Sequence, residues 1–154
     1  MSPAAHPASG TLRLALAALI LLWAGVLIGV SFLAAPAKFA ALSLSLPVAM
    51  DVGRQEFGTL NLVEIGLVVL TLALAALARP GRKIWVGIAI AAAIVAAQTV
   101  WLLPVLDARA ALIIQGETPP AAPWHTFYIL AEILKLLALL VTGWLALRDP
   151  SAPR

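Results

Sequence analysis

Apolar residues run almost unbroken over four stretches of this chain, 12–34, 57–78, 84–105 and 126–147, and the polar residues gather between them. Each stretch approaches the ~20 residues that, at ~1.5 Å rise, cross ~30 Å of hydrocarbon. The pattern predicts an all-α fold, a single bundle of four transmembrane helices over 11–148 with both termini on the cytoplasmic side. A Pro-, Ala- and Ser-rich tail at 1–10, including His6, has nothing to bury and is expected to be disordered, and a second short tail covers 149–154.

Punctuation between the stretches sharpens this picture. Ser45 and Pro47 suit a helix cap and first turn, and from there a helical pattern continues through Arg54, Phe57, Asn61 and Glu64. The second helix is therefore expected to begin well before its apolar stretch. Arg79-Pro80-Gly81-Arg82-Lys83 reads as a tight turn, Gly116-Glu117-Thr118-Pro119-Pro120 as part of a longer connection, and Pro104 as loosening the end of the third helix. Gly25 and Gly29, four apart, predict a face that another helix approaches closely. The alanines at 89, 91, 92, 93, 96 and 97 suggest that the third helix is the innermost, and Trp85, Trp101, Trp124 and Trp144 fall where interfacial aromatics belong. No internal repeat is visible.

Composition agrees and narrows the class. The chain of 154 residues is 63% hydrophobic and 11% charged, with a mean hydropathy of +1.05, far from an ordinary soluble domain. Its basic pI of about 10.0 does not signal nucleic acid, because the basic residues neither form a run nor alternate with aromatics. Arg13, Arg79, Arg82, Lys83, Arg148 and Arg154 fall on one side of a four-pass topology, Lys38, Arg54 and Arg109 on the other. That asymmetry predicts a multi-pass protein of the cytoplasmic (inner) membrane, with Asp51, Glu56, Asp107 and Glu117 outside and Asp149 inside. The first apolar run exceeds a signal-peptide core of about 7 to 15 residues, so an uncleaved first helix is expected. With no cysteine, disulfides and thiolate metal sites are excluded.

The candidate chemistry lies within the apolar stretches. His125, Tyr128, Glu132 and Lys135 follow one another at steps of three, four and three, which places them on one helical stripe. Counted from the outer ends of their helices, Glu64, Gln98 and Glu132 all lie ~10 Å deep, with Gly29 at the same level on the first helix. Lys135 lies about one turn deeper, and Tyr128 and Asn61 about one turn higher. An ionised side chain at such depth costs at least ~2.5 to 3.5 kcal/mol, so ionisable groups there mark candidate sites. Glu132 and Lys135 can pair, which leaves Glu64 to be protonated, to share Lys135 or to use water.

This layer predicts an outward-opening polar pocket around Glu64, Gln98, Glu132 and Lys135, with Tyr128, Asn61 and His125 at its mouth. Lys135 would attract an anionic group, and the pocket would bind a small molecule or lipid headgroup within the bilayer. The alternatives are a structural or assembly protein in which the layer only joins helices, and a small metal or redox enzyme or a proton-coupled transport component using Glu64, Glu132 and Lys135. Neither a cofactor nor a resident metal is expected: His125 is ~10 Å above Glu132, the Glu-x-x-His spacing of di-iron bundles is absent, and so is a Cys-x-x-Cys-His haem motif. No catalytic residue is assigned.

Across residues 20–145 the chain resembles the transmembrane protein 205-like family of small four-helix membrane proteins. Trp23-Ala24-Gly25, Ser31-Phe32 and Ala35-Pro36 are similar to that family's first helix, Gly53-Arg54-Gln55-Glu56-Phe57 to its approach to the second, and His125 to the mouth of its fourth. Glu132 stands where that family has an asparagine. The resemblance implies a fold and a membrane address, and no defined activity.

Overall fold

The computed structural model describes residues 7–148 and is helical throughout, with four helices long and apolar enough to cross a membrane. Helix α1 begins at Pro7–Leu27, passes through a π-helical segment at Ile28–Ala34 and ends with Ala35–Ala40. Helix α2 is Leu46–Ala78 and α4 is Trp124–Leu147; α3 joins Arg82–Ala97, a second π-helical segment at Gln98–Leu102, and Leu103–Ile114. Residues 7–10, expected in a tail, open α1 instead, and 1–6 and 149–154, with His6, Asp149 and Arg154, lie outside the described residues.

Helix boundaries follow the local chemistry. Ser45 occupies the N-cap position of α2, in an extended conformation and without a side-chain capping bond, and Pro47 lies in the first turn. Arg79 ends the helix in the left-handed region at φ 48°, and Pro80-Gly81 carry the chain into α3. Gly116, at φ 82°, turns the chain out of α3. Pro104 does not end α3, which runs on to Ile114; the loosening expected there takes the form of a widened turn just ahead of it. A proline has no N–H and its ring crowds the carbonyl four residues back. In both α1 and α3 the helix widens just before the proline: Ala35 donates to the Val30 carbonyl ahead of Pro36, and Leu103 to the Gln98 carbonyl ahead of Pro104. Both are i to i−5 bonds, the signature of a π turn.

These matched devices belong to a larger repeat, contrary to the expectation of none. Buried Leu16, Ile20, Trp23 and Leu27 on α1 stand 68 residues before buried Ile84, Ile88, Ala91 and Val95 on α3. On α2, Leu60, Glu64, Leu67, Thr71, Ala75 and Ala78 stand the same 68 residues before Tyr128, Glu132, Lys135, Leu139, Gly143 and Ala146 on α4, all buried. The ends of the π segments, Ala34 and Leu102, and the two prolines keep that separation. Helices α1 and α3 each pack against both α2 and α4, so exchanging the two hairpins maps every pair of neighbours onto another. The bundle is thus two copies of one helical hairpin about an approximate twofold along its axis, the arrangement of parallel repeats.

Close helix approach occurs at glycines other than those expected. A Cβ on Gly25 or Gly29 would meet nothing within 4 Å. One on Gly143 would lie 2.6 Å from Leu21 Cδ2, and one on Gly87 would collide with Thr142 Oγ1. The glycines that matter therefore join α4 to α1 and α3. Nor is α3 the innermost helix: of its alanines at 89, 91, 92, 93, 96 and 97 only Ala91 is buried. In a bundle of four, each helix turns one stripe inward, and alanine content does not change that share.

Helix α2 has 33 residues against 24 in α4. At the end of the bundle where the 41–45 and 115–123 connections lie, here the loop end, the first turns of α2 and the last of α3 overhang α4 by ~15 Å. Lys38, Arg54, Asp107 and Arg109 all sit in this overhang. The opposite, terminal end closes on an apolar core of Leu16, Ile20, Ala75, Ile84, Ile88 and Leu139.

Candidate functional site

Glu64, Gln98, Glu132 and Lys135 converge on one point of the core, 0 to 2% exposed. Lys135 Nζ donates to Glu64 Oε2 at 2.7 Å, to Gln98 Oε1 at 2.7 Å and to Glu132 Oε1 at 2.8 Å. Gln98 Nε2 donates to Glu132 Oε1 at 2.6 Å. The stripe on α4 provides the Glu132–Lys135 step, and the repeat brings Glu64 to face its counterpart Glu132 across the bundle. Gln98 opens the π segment of α3, where the widened turn presents it to the core.

An ammonium has three donors, and all three of Lys135's are used. None remains for an anionic ligand, so the expected role of Lys135 in attracting one does not fit. Gly29, expected as an opening on the first helix, is not part of the cluster; α1 contributes two side chains instead. Trp23 Nε1 donates to Glu64 Oε1 at 2.9 Å, and Ser31 Oγ lies 2.7 Å from Glu132 Oε2. Sequence reasoning met both only as part of a family resemblance. A legible signal existed for Ser31, which precedes Pro36 by the same five residues that separate Thr99 from Pro104.

One turn toward the loop end lies a second polar level. Asn61 Nδ2 donates to Thr99 Oγ1 at 2.9 Å, and Thr99 Oγ1 donates to the Val95 carbonyl at 2.8 Å. Tyr128 is buried there, its ring edge-on to Phe57 with centroids 5.2 Å apart. Asn61, Thr99 and Tyr128 are the deepest residues of their helices to line a cavity of about 760 Å³ between α2, α3 and α4. Its volume falls in the range of small-molecule sites, about 300 to 1,000 Å³. Its lining is otherwise mainly apolar, with His125 at the start of α4 near the mouth.

The cations of the overhang have partners of their own. Lys38 pairs with Glu56 and sits 5.0 Å from the Phe57 ring centroid. Arg54 grips Asp107 with two bonds of 2.5 and 3.0 Å. Arg109 Nη2 donates to the Pro120 carbonyl at 2.7 Å, which ties the long connection to α3. Trp101, Trp124 and Phe127 stack edge to face beside them, with centroids 5.7 and 6.0 Å apart.

A smaller cavity of about 290 Å³ lies between α1 and α4, lined by Ser31, Pro36, His125, Tyr128 and Glu132 among others. Glu132 is the one member of the charged cluster that touches either cavity; Glu64, Gln98 and Lys135 line neither. Toward the terminal end, Thr142 Oγ1 bonds back to the Ala138 carbonyl at 2.5 Å. Thr71 Oγ1 is buried with no hydrogen-bond partner among the described residues. The described residues contain no group of three or more His, Asp or Glu placed to hold a metal ion.

Sequence reasoning thus named six residues of two adjacent levels, Glu64, Gln98, Glu132 and Lys135 in the charged cluster and Asn61 and Tyr128 above it, with His125 nearer the mouth, and missed Thr99. Comparison of the chain with protein-family models, curated proteins and solved structures finds no match.

Proposed function

We propose that this protein is a multi-pass protein of the cytoplasmic membrane, termini on the cytoplasmic side, that binds a small amphiphilic molecule in the loop-end cavity. The ligand is mainly apolar and uncharged, with one or two hydrogen-bonding groups directed at Asn61, Thr99 and Tyr128. The observation that carries this reading is the cavity of about 760 Å³, whose apolar walls end on those three polar side chains. Concave, mostly apolar sites with a few converging polar groups are the usual form of a small-molecule site. An uncharged ligand is favoured because, of the cations lining the cavity, Lys38 and Arg54 are already neutralised by Glu56 and Asp107 and Arg109 is bonded to the Pro120 carbonyl. The orientation rests on the excess of arginine and lysine at the terminal end.

The charged cluster beneath acts in this reading as a rigid base, holding α2, α3 and α4 at the spacing the cavity requires. Native mass spectrometry of protein released gently from membranes tests the idea. A retained molecule is expected on the wild type. Gly58 lines the cavity and a Cβ there would meet nothing within 4 Å, so Gly58→Trp fills the space without disturbing the helices. Loss of the bound mass in Gly58→Trp, with helix content unchanged, supports the proposal. A wild type that carries nothing, and binds no component of a membrane lipid extract, contradicts it.

A further inference from the structure

The charged cluster does not balance. Glu64 and Glu132 bring two carboxylates and Lys135 one ammonium to a buried place, where an uncompensated charge is strongly disfavoured. Every other side chain facing the cluster is neutral: Trp23 and Ser31 from α1, Gln98 from α3, and Tyr128 from α4. His125 lines the small cavity one turn above Tyr128; of the loop-end charges, Lys38 pairs with Glu56 and Arg54 with Asp107, while Arg109 donates to the Pro120 carbonyl.

We propose that the cluster is a binding site for a single proton, carried on Glu132 Oε2 and exchanged with the loop-end side through Ser31. A cation other than a proton does not suit the place. Hard ions need several free oxygen ligands, whereas the carboxylate oxygens already face donors at 2.6 to 2.9 Å, and the Lys135 ammonium touches both acids.

Placement on Glu132 follows from how the two repeats differ. Glu64 receives the indole N–H of Trp23 on one oxygen and Lys135 on the other, so both oxygens face fixed donors. The residue equivalent to Trp23 on α3 is Ala91, which offers Glu132 nothing. Glu132 Oε1 takes the two N–H donors of Lys135 and Gln98; its Oε2 meets the Ser31 hydroxyl at 2.7 Å, and the Tyr128 hydroxyl is a further hydrogen-bonding neighbour, so its partners beyond those two N–H donors are hydroxyls. A hydroxyl serves equally as acceptor. A proton on Oε2 is then donated to Ser31 Oγ, while the ionised form receives the bond from Ser31.

Release follows the same contact. Ser31 passes its own proton to water in the small cavity, takes that of Glu132 and leaves a carboxylate; uptake is the reverse. The cavity, at about 290 Å³, has ample room for water. On the terminal side the core is apolar but for the hydroxyls of Thr71 and Thr142, the latter bonded back to its own helix, so the proposed exchange runs to the loop end, where the small cavity touches Glu132.

Infrared spectroscopy of the full chain in bilayer nanodiscs at neutral pH tests this directly. The wild type is expected to show the C=O stretch of one buried protonated carboxyl, shifted by exchange into D2O. Glu132→Gln and Glu64→Gln should each abolish it, because either leaves one acid balanced by Lys135. Ser31→Ala should move the band. A wild type without the band overturns the proposal. A band unmoved in Ser31→Ala overturns the assignment to Glu132, and does so in a variant that keeps the charge count of the cluster.

Discussion

The two hairpins share much of a burial pattern, a π turn, a proline and a buried glutamate, yet differ in chemistry at several equivalent positions. Trp23 corresponds to Ala91, buried Asn61 to exposed Ile129, and Leu67 to Lys135 across the repeat. The shared features fix the helices at their depth and crossing; the differences create the chemistry. A strictly symmetric bundle would bury two carboxylates with no cation between them, or with two lysines each matched to one acid. A single lysine instead ties both acids together and leaves one charge over. In a bilayer, where apolar side chains gain little by leaving lipid, such bonds and close van der Waals packing hold the bundle together.

Variants that make the halves more alike should be the most damaging. Lys135→Leu copies Leu67 and strips Glu64, Gln98 and Glu132 of their common donor. Breaking a buried ion pair from one side typically costs about 3–5 kcal/mol, and reversible unfolding in bicelles should show a loss of that size. A loss under about 1 kcal/mol would mean that the cluster behaves like an exposed pair.

Trp23→Phe removes the feature that protects Glu64. A hydrogen bond to a charged group contributes about 1.5–3 kcal/mol, and the same unfolding measurement should fall in that range. Ala91 is the equivalent position, and its side chain has no polar atom to give Glu132 the N–H that Trp23 gives Glu64.

Packing provides the next comparison, between glycines that face a neighbour and those that do not. Gly87→Val forces Thr142 to move and should cost about 1–3 kcal/mol, whereas Gly25→Ala, with nothing within 4 Å of the new Cβ, should stay within about 0.5 kcal/mol. Equal effects at the two sites would contradict the packing described. The glycine pair four residues apart on α1 had predicted the opposite ranking. Spacing alone does not reveal which face of a helix a neighbour occupies.

That limit runs through the whole reading. Four apolar stretches, the Ser45 and Pro47 start signal and the Arg79 to Lys83 turn made the bundle legible, because hydrophobic length and helix caps are local. Counting depth along each helix also brought Glu64, Gln98 and Glu132 to one level with Lys135 about one turn deeper, since rise per residue is nearly constant. Azimuth is different. The π turns before Pro36 and Pro104 rotate the faces of α1 and α3, so Ser31 and Trp23 reach the cluster while Gly29 does not. The repeat went unseen because it is carried by burial and by a few chemically matched pairs such as Ser31 and Thr99, with most aligned residues differing. Donor counting on Lys135 needed coordinates, and it moved the proposed ligand site from the cluster to the cavity above it.

The shared lysine between twofold-related acids is the claim on which the rest depends, and exchanging its position tests it most directly. Leu67 occupies the place of Lys135 in the other hairpin, one turn below Glu64. Unfolding free energies of Lys135→Leu and of the double variant Lys135→Leu/Leu67→Lys should therefore differ sharply, the second substitution restoring more than half of what the first removes. A double variant no more stable than Lys135→Leu alone would contradict the twofold relation of the two halves and the sharing of one cation by both glutamates.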